Sequence, residues 1–425
     1  MKDLVKKLTV IAFAFSAVSA ASAVELSILI DNNPDTVALT QALTLAYSKK
    51  HPDVKFEMEL RPGGAEGDNI VKTRLATGEM ADVFIYNSGS LLQALRPSRT
   101  LEPINDIANF SNILSSFTST VSDKKGNVYA VPAQTAMGGG ILYNKRLYKE
   151  LGLKVPMTWK EFMANCAIIA AKSKAAPIAQ TYRDSWTSQL IVLADYYNVQ
   201  SEQPNFADDY TNNKAKFATT PSALRGFEKL QQVSEAGYFN DYYGAATYND
   251  GLNMVATGKA AHYPMLTFAI PAININTPDQ INDVGFFAQP GDDASKNGLT
   301  VWMPNAFYLP KEGDHKDIAK DFLSYVATVD ACNTITNAIG ANGPYLIKGC
   351  TLPDNVFPAV KDMLPYFQVE GRTAPALEFL SPIKGPMLEQ LTVEVGSSIR
   401  TAKSAAELYD QDVEKQAKQL NLPNW

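Results

Sequence analysis

The sequence predicts an α/β protein with two domains, and three observations carry this prediction. The 425 residues exceed what a single ordinary hydrophobic core holds. Residues 25–86 read in turn as strand, helix, strand, helix and strand, a pattern typical of a doubly wound lobe. The stretch Tyr129–Lys145 combines a proline with three consecutive glycines, and we expect the chain to cross there from one domain to the other.

The amino terminus predicts a cleavable secretory signal peptide over residues 1–23. Lys6 and Lys7 precede an apolar run, Leu8–Val18, that is shorter than the roughly 20 residues a membrane-spanning helix needs. Small residues at positions 21–23 form a cleavage site, with the cut after Ala23. We therefore expect the mature chain to be exported.

The charge balance argues against one class of partner. The whole chain has a formal net charge of −6, and removal of residues 1–23 takes away three lysines and one aspartate, which leaves −8. Nucleic-acid binding needs a basic surface, so we expect no nucleic-acid partner. Hydrophobic residues at 46% and charged residues at 19% are typical of a folded, soluble chain.

Local patterns define the start of the first domain. Glu25–Ile30 reads as a short apolar strand, and Asn33 and Pro34 suit the N-cap and first position of the helix that follows. Val54–Leu60 alternates apolar and charged residues, as a half-buried strand does. A helix over residues 67–77 leads to Asp82–Tyr86, a continuous apolar run that predicts a strand buried on both faces.

Polar residues follow the first and third of these strands. They are Asn32 and Asn33 after the first strand, and Asn87 and Ser88 after the third. In open α/β sheets such strand-to-helix turns face the ligand crevice. We therefore expect these four side chains to lie at a binding cleft.

The crossing and the second domain are predicted from turn and cap signals. In Tyr129–Lys145 a strand breaks at Pro132, a loop ends in the glycines 138–140, and an apolar strand follows. Thr158–Glu161 is a capping box that opens a helix containing Cys166. Thr300–Leu309 is predicted as one long strand, and a second capping box at Ser404–Glu407 is predicted to start the terminal helix.

Most enzyme motifs are missing from the sequence. Its three histidines lack metal-ligand spacing, and no nucleophile elbow, P-loop or dinucleotide fingerprint stands at a strand-to-helix junction. A glycosidase needs only two carboxylates at the right separation, and a chain with 44 acidic residues gives no specific signal for or against such a pair. We expect no cofactor and no metal, and we favour a binding protein over an enzyme.

Aromatic residues beside polar ones are the positive signal. Sugars place their C–H faces on aromatic rings and their hydroxyls on amide, carboxylate and guanidinium groups. The segment 178–198 offers this combination, with Tyr182, Arg183, Asp184 and Trp186 close together in the chain. Core packing is the commoner role for any single aromatic. The arginines at 61, 183 and 372 leave an anionic ligand open as an alternative.

The cysteines fit an exported chain. Cys332 and Cys350 are candidates for a disulfide, which contributes about 3 kcal/mol for a loop of this length in the chain-entropy model. Cys166 lies on an apolar helical face, so we expect a buried thiol there.

Several stretches together resemble the family 1 extracellular solute-binding proteins, which are carbohydrate-binding subunits of bacterial ABC importers and include maltose-binding protein. They are HPDVKFEMEL, LATGEMADVFIYNSG, GNVYAVPAQ followed by ILYNKRLYKELGLKVPMTWKEF, TGKAAHYPML and AFYLPKEGDHKDIAKDFLSYVAT. The resemblance covers nearly the whole mature chain in the family's order. It implies two doubly wound α/β lobes, joined by a hinge of three crossings, that close on a sugar.

The resemblance also implies domain bounds and site residues. The signal peptide is followed by an N-terminal lobe of residues 24–132 plus 295–328 and a C-terminal lobe of residues 133–294 plus 329–425. The implied ligand-binding residues are Asn32, Asn33, Asn87, Ser88, Gln134, Met137, Tyr182, Arg183, Asp184, Trp186, Phe268 and Asn305. Maltose-binding protein has an acidic residue at the position of Met137 and a tryptophan at that of Phe268, which points to a different sugar.

The implied function is that of a monomeric periplasmic receptor. It captures a mono- or oligosaccharide by hinge closure and delivers it to an inner-membrane permease and its ATPase. Two alternatives stay open from the sequence. One is a receptor for another small solute, such as a sugar acid held by Arg61 or Arg183 or a polyol, and the other is a secreted glycosidase or lyase.

Overall fold

The computed structural model describes residues 23–425, so the predicted signal peptide lies almost wholly outside the described residues. Eleven strands form two sheets in this part of the chain. They are β1 (Val24–Asp31), β2 (Val54–Arg61), β3 (Val83–Tyr86), β4 (Ala130–Pro132), β5 (Met137–Asn144), β6 (Ala176–Ile178), β7 (Ala260–Leu266), β8 (Val284–Ala288), β9 (Leu299–Trp302), β10 (Ala306–Tyr308) and β11 (Thr373–Pro375). The predicted two-lobe α/β fold is confirmed.

Helices cover both sheets. They are α1 (Pro34–Lys50), α2 (Gly64–Thr77), α3 (Ser90–Ala94), α4 (Pro97–Thr100), α5 (Ser115–Thr118), α6 (Lys145–Leu151), α7 (Trp159–Lys172), α8 (Leu190–Leu193), α9 (Tyr196–Glu202), α10 (Phe206–Thr211), α11 (Pro221–Glu235), α12 (Tyr248–Thr257), α13 (Ala269–Asn276), α14 (Lys316–Val326), α15 (Val329–Ile339), α16 (Pro358–Gln368), α17 (Leu377–Leu380), α18 (Leu388–Gly396) and α19 (Ala402–Gln419). The capping box of α7 is present, with Thr158 and Glu161 bonded reciprocally. The predicted second box is wrong, because α19 begins earlier, with Thr401 as its N-cap.

The first sheet has the strand order β2-β1-β3-β10-β4. Strand β1 pairs parallel with β2 and β3, while β10 runs antiparallel between β3 and β4. Helices α1 and α2 connect the parallel strands, so the predicted alternation is confirmed. The carboxyl ends of β1 and β3 consequently meet at one edge of the sheet.

The second sheet has the order β11-β9-β5-β7-β6, and β8 also pairs with β5. Strand β5 runs antiparallel to β7, β8 and β9. The predicted strand Thr300–Leu309 is therefore two strands in different sheets, β9 and β10. The break falls at residues 303–305, where Pro304 offers no backbone N–H for a ladder.

Close packing explains why the glycines at 138–140 are in a strand and not in the predicted loop. All three are buried within β5. A Cβ on Gly139 would overlap the ring of Trp302, and one on Gly140 would overlap the carbonyl oxygen of Phe287. Glycine is therefore required here by the approach of neighbouring strands and not by a turn.

The predicted lobe bounds change where a segment packs with the other sheet, and elsewhere they stay a prediction. The chain passes between the sheets at residues 133–136 and 303–305, so the strand at 299–302 lies with the second sheet and not with the first. Helix α15 packs on α1, and Ile347 bridges to Ile113, so residues 329–350 pack with the first sheet. Helix α16 then packs on β8 of the second sheet, which places a third crossing between residues 350 and 358.

Cys332 and Cys350 form a disulfide in the structure, with their Cα atoms 6.2 Å apart. The bond joins α15 to the segment after it. Cys166 is buried and unbonded, as expected.

His262 on β7 makes stability depend on pH. It is completely buried, with Nε2 2.6 Å from the Tyr148 hydroxyl and Nδ1 2.7 Å from the carbonyl oxygen of Pro177. Burial lowers the pKa of His262 from 6.5 to about 4. Between these two pH values the unfolded chain therefore takes up a proton at His262 that the folded chain does not, and this group alone lowers the free energy of unfolding by about 3 kcal/mol as the pH falls from 6.5 to 4.

We expect His262→Gln to remove this contribution, since glutamine does not titrate, so that the free energy of unfolding of the variant relative to wild type rises by about 3 kcal/mol as the pH falls from 7 to 4. The measurement is the free energy of unfolding in urea at several pH values from 7 to 4. His51→Gln, at the half-exposed end of α1, is the matched control and should keep the wild-type slope. Equal slopes for wild type and His262→Gln would contradict the assignment.

Candidate ligand-binding cleft

A cavity of about 460 Å³ lies between the two sheets. Eight of the residues predicted for the site line it: Asn33, Asn87, Ser88, Gln134, Met137, Trp186, Phe268 and Asn305. They come from both sheets and from two of the segments that connect them. The structure therefore brings together side chains that are up to 272 residues apart in the chain.

The turns after β1 and β3 form one wall of the cavity. Asn33 follows β1, and Asn87 and Ser88 follow β3. Ser88 donates a hydrogen bond from Oγ to the carbonyl oxygen of Pro304 at 3.0 Å. This hydrogen bond joins the turn after β3 to the segment 303–305. It therefore connects this wall of the cavity to one of the crossings between the sheets.

Four of the predicted site residues do not line the cavity. Asn32 is exposed, and its backbone N–H continues the pairing with β2 by donating to Arg61. Arg183 is also exposed. The carboxylate of Asp184 accepts from the backbone N–H of Tyr248 at 2.6 Å, so it caps the first turn of α12.

Tyr182 is the fourth predicted site residue that does not line the cavity. It is buried edge-on against Phe239 and Tyr243, and its hydroxyl points at Gly396. Burial raises its pKa. Its role in this structure is core packing.

Aromatic rings make the opposite wall. Trp186, Tyr248 and Phe268 pack together, with ring centroids 5.2 to 6.0 Å apart. Trp302 at the end of β9 also lines the cavity, and its indole N–H donates to a carboxylate oxygen of Glu378. Local sequence predicts no role for Trp302, because only the pairing of β9 with β5 brings this residue to the cavity.

Charged groups at one end of the cavity are largely engaged with the protein. Arg61 is buried and donates to the carbonyl oxygens of Pro62 at 3.0 Å and Ile85 at 3.1 Å. Lys384 pairs with Glu378 at 3.2 Å. Two of the N–H groups of Arg61 bind backbone carbonyls, whereas its buried Nε has no hydrogen-bond partner within residues 23–425, so this side chain keeps one donor free.

Asp35, in the first turn of α1, is a cavity residue that the sequence did not single out. It is buried, and its Oδ2 accepts from Nε2 of Gln134 at 2.9 Å. Gln134 in turn accepts from Nδ2 of Asn342 at 2.7 Å. Burial raises the pKa of Asp35 to about 7, with a further contribution from Asp31. An acidic residue in a first helical turn is ordinarily explained by the helix dipole, so nothing local marked it.

Residues 23–425 contain neither a cluster of metal ligands nor a helix that could span a membrane. No group of three or more histidine, cysteine or acidic side chains there is arranged to hold a metal ion. No helix within this range has the length and hydropathy to cross a membrane.

Comparison with known proteins identifies the family. A sequence model of the bacterial extracellular solute-binding proteins matches residues 31–331. The chain belongs to this family. Members of this family are solute receptors, and the matched range includes both strand-to-helix turns of the cavity and the residues of its aromatic wall.

Individual relatives are distant but extensive. The multiple sugar-binding protein of Streptococcus mutans is 28% identical over 313 residues, which are 71% of this chain and 70% of the relative. The melibiose/raffinose/stachyose-binding protein MelE of Bacillus subtilis is 22% identical over 307 residues, covering 70% and 68% of the two chains.

Solved structures share the fold. A chitin oligosaccharide binding protein superposes with a TM-score of 0.81 at 21% identity, covering 93% of this chain and all of the other. The binding protein RafE in complex with raffinose gives a TM-score of 0.74 at 21% identity, covering 93% and 99%.

The contact between Gly139 and Trp302 is testable. We expect Gly139→Ala to push the Trp302 ring out of place and to lower the free energy of unfolding by about 1 to 3 kcal/mol, as overpacking does. The measurement is urea unfolding followed by circular dichroism. Gly244→Ala is the matched control, since a Cβ there meets no atom within 4 Å. Equal stability of the two variants would contradict this account.

Proposed function

We propose that the protein is a carbohydrate receptor that delivers sugar to an ABC importer. The observation that carries the proposal is the cavity itself, which sets an aromatic wall opposite amide and hydroxyl groups between two lobes. Such a site suits a sugar, because rings cover C–H faces while polar groups bind hydroxyls. The relatives include multiple sugar-binding and raffinose-binding proteins, which supports the same ligand class.

The receptor works by hinge closure. The two lobes approach closely in this structure: a Cβ on Gly63 or Gly64 of the first lobe would come within 3.3 Å of Trp186 of the second, and one on Gly89 would overlap the carbonyl oxygen of Glu378. A ligand that contacts both lobes only when they are closed shifts the equilibrium by its difference in affinity for the two states. Residues 133–136 and 303–305 both line or flank the cavity and connect the sheets, which suits them to the hinge.

Location and partners follow from this role. We propose export to the periplasm through the signal peptide of residues 1–23, and delivery of sugar to a membrane permease and its ATPase. A monomer suits a protein whose lobes move against each other. We also propose that the bound sugar leaves unchanged, so the protein is a receptor and not an enzyme.

Isothermal titration calorimetry against a panel of saccharides tests the function. The panel contains melibiose, raffinose, stachyose and chitin oligosaccharides, with amino acids, peptides and polyamines as competitors of another class. We expect at least one saccharide to bind with a micromolar dissociation constant, which corresponds to about −8 kcal/mol. Binding confined to the other classes would overturn the sugar assignment, and cleavage of a labelled oligosaccharide would overturn the assignment as a receptor.

Trp186→Ala tests the aromatic wall. Loss of a buried aromatic contact at a binding site typically costs about 2 kcal/mol, so we expect sugar affinity to fall by a factor of roughly 30 with the fold intact. Trp425→Ala is the matched control, since that ring packs near the carboxyl terminus against Lys216 and lies outside the cavity. An equal effect of both substitutions, or none, would contradict the role of Trp186.

A further inference from the structure

One carboxylate oxygen in the cavity is left for a partner outside the polypeptide. Asp35 lines the cavity with only 1% of its surface exposed. Its Oδ2 accepts from Gln134, while Oδ1 has no hydrogen-bond partner among residues 23–425. Burying a carboxylate oxygen without a donor is unfavourable. The backbone N–H groups of Asp35 and Thr36 act to lower the pKa of this carboxyl group, but neither forms a hydrogen bond to Oδ1, which is therefore open to a donor from a ligand.

The hinge fixes which oxygen stays free. Oε1 of Gln134 accepts from Asn342, so the amide of Gln134 must present its NH₂ group to Asp35. Asn342 is held in turn by a hydrogen bond from the hydroxyl of Thr135 to its Oδ1. This chain of contacts engages Oδ2 of Asp35 and leaves Oδ1 without a bond.

No ion pair compensates the carboxyl group of Asp35 within residues 23–425. Asp31 on β1 is a second buried carboxylate, and its Oδ1 accepts from the backbone N–H of Asn33. Tyr248 on α12 lies near enough to both aspartates for their charges to raise its pKa, and its buried hydroxyl has no hydrogen-bond partner within residues 23–425. Arg61 on β2 is bonded to backbone carbonyls, and within residues 23–425 no lysine or arginine forms an ion pair with either aspartate.

Other elements packed on α1 do not change this balance. Helix α13 has no titratable side chain. On α15, Asp330 pairs with Lys50 at the far end of α1. Asp35 therefore faces a like charge and a neutral hydroxyl.

We propose that Asp35 is the anchor for a hydrogen-bond donor of the ligand, and that binding of this donor releases a proton from the Asp35 carboxyl group to the solvent. The inference rests on the proposed function, because a sugar supplies the donor as a hydroxyl. An amino sugar supplies the same chemistry as an ammonium group. The free form holds the proton on the carboxyl group, and the bound form exchanges it for a hydrogen bond from the ligand to the carboxylate.

The raised pKa of Asp35, about 7, agrees with this exchange. At pH 6 most molecules of the free protein hold the proton, and a donor that stabilises the ionised form expels it. By linkage, affinity then rises as the pH rises, because ionisation of Asp35 no longer has to accompany binding. The difference between pH 8 and pH 6 is about tenfold for one group that titrates near pH 7. A carboxylate of a sugar acid is disfavoured at this end.

Proton release is measured directly by calorimetry. The saccharide of the panel that binds most tightly is titrated at pH 6 in two buffers with different enthalpies of ionisation. We expect close to one proton released per ligand for the wild type. Asp35→Asn keeps the size of the side chain and removes the proton, so we expect no release and an affinity that does not change with pH. Glucosamine and glucose are compared as probes. If the protein prefers glucosamine and Asp35→Asn abolishes this preference, the donor bound by Asp35 is an ammonium group.

Two other carboxyl groups in the cavity serve as matched controls. Burial raises the pKa of Asp68 and of Glu389, so either is a competing source of the proton. Asp68→Asn and Glu389→Gln should both keep the release. Binding without proton release, or release that survives in Asp35→Asn, overturns the inference and leaves the proposed function standing.

Failure of the proposed function is distinguished in a separate measurement. If no saccharide binds, the sugar assignment fails, and Asp35 is then tested in the free protein through tryptophan fluorescence between pH 5 and 8. Trp186 and Trp302 line the same cavity. A transition near neutral pH that is lost in Asp35→Asn supports titration of this carboxyl group. The same transition in both proteins, or in neither, overturns the inference.

Discussion

The close approach of β9 to β5 is the packing constraint on which the site depends. Trp302 lies over Gly139, where any side chain would displace it. The same strand, β5, also pairs with β7 and β8, so its backbone fixes three neighbours at once. Met137 at its start and Trp302 opposite then define one side of the cavity. The glycines at 138–140 thus allow neighbouring strands and side chains to pack closely on β5 at the point where the sheet borders the cavity.

Hydrogen bonds between polar groups connect the crossings to β5. Gln134, Thr135 and Asn342 bond to one another, and Thr267 donates to the carbonyl oxygen of Asn342 at 2.9 Å while accepting from the N–H of Gly138. The network therefore runs from α1 through the first crossing to the second sheet. Buried polar networks of this kind are stiff when every member is satisfied. Here one atom, Oδ1 of Asp35, is not satisfied within the described part of the chain, and it borders the cavity.

Local patterns predicted the first lobe well. Strand and helix periodicity, the Asn33–Pro34 helix start and the buried strand before Asn87 are short-range signals, and the structure keeps all of them. The same signals placed Asn33, Asn87 and Ser88 at the cavity, because the ends of parallel strands share an edge. The second sheet was harder. The glycines at 138–140 read as a loop, since the groups that require them belong to residues more than 140 positions away in the chain, such as Trp302 for Gly139 and Phe287 for Gly140.

The aromatic segment shows the same limit. Sequence proximity grouped Tyr182, Arg183, Asp184 and Trp186, yet only Trp186 reaches the cavity. The buried position of Tyr182 is set by packing against Phe239 and Tyr243, which lie far along the chain. Asp35 could not be predicted as a cavity residue for the opposite reason, because the helix dipole alone accounts for an acidic residue in a first helical turn. Whether a polar side chain meets solvent, a helix end or a ligand depends on what the rest of the chain places in front of it.

The position of the disulfide has a mechanical consequence. Cys332 lies on α15, which packs on α1, and Cys350 follows a segment that bridges to Ile113, so both sulfur atoms sit on the side of the first sheet. The covalent loop closes before the chain enters its third crossing. It therefore stiffens one body without tethering it to the other, and rotation of one lobe about the hinge stretches no covalent cross-link.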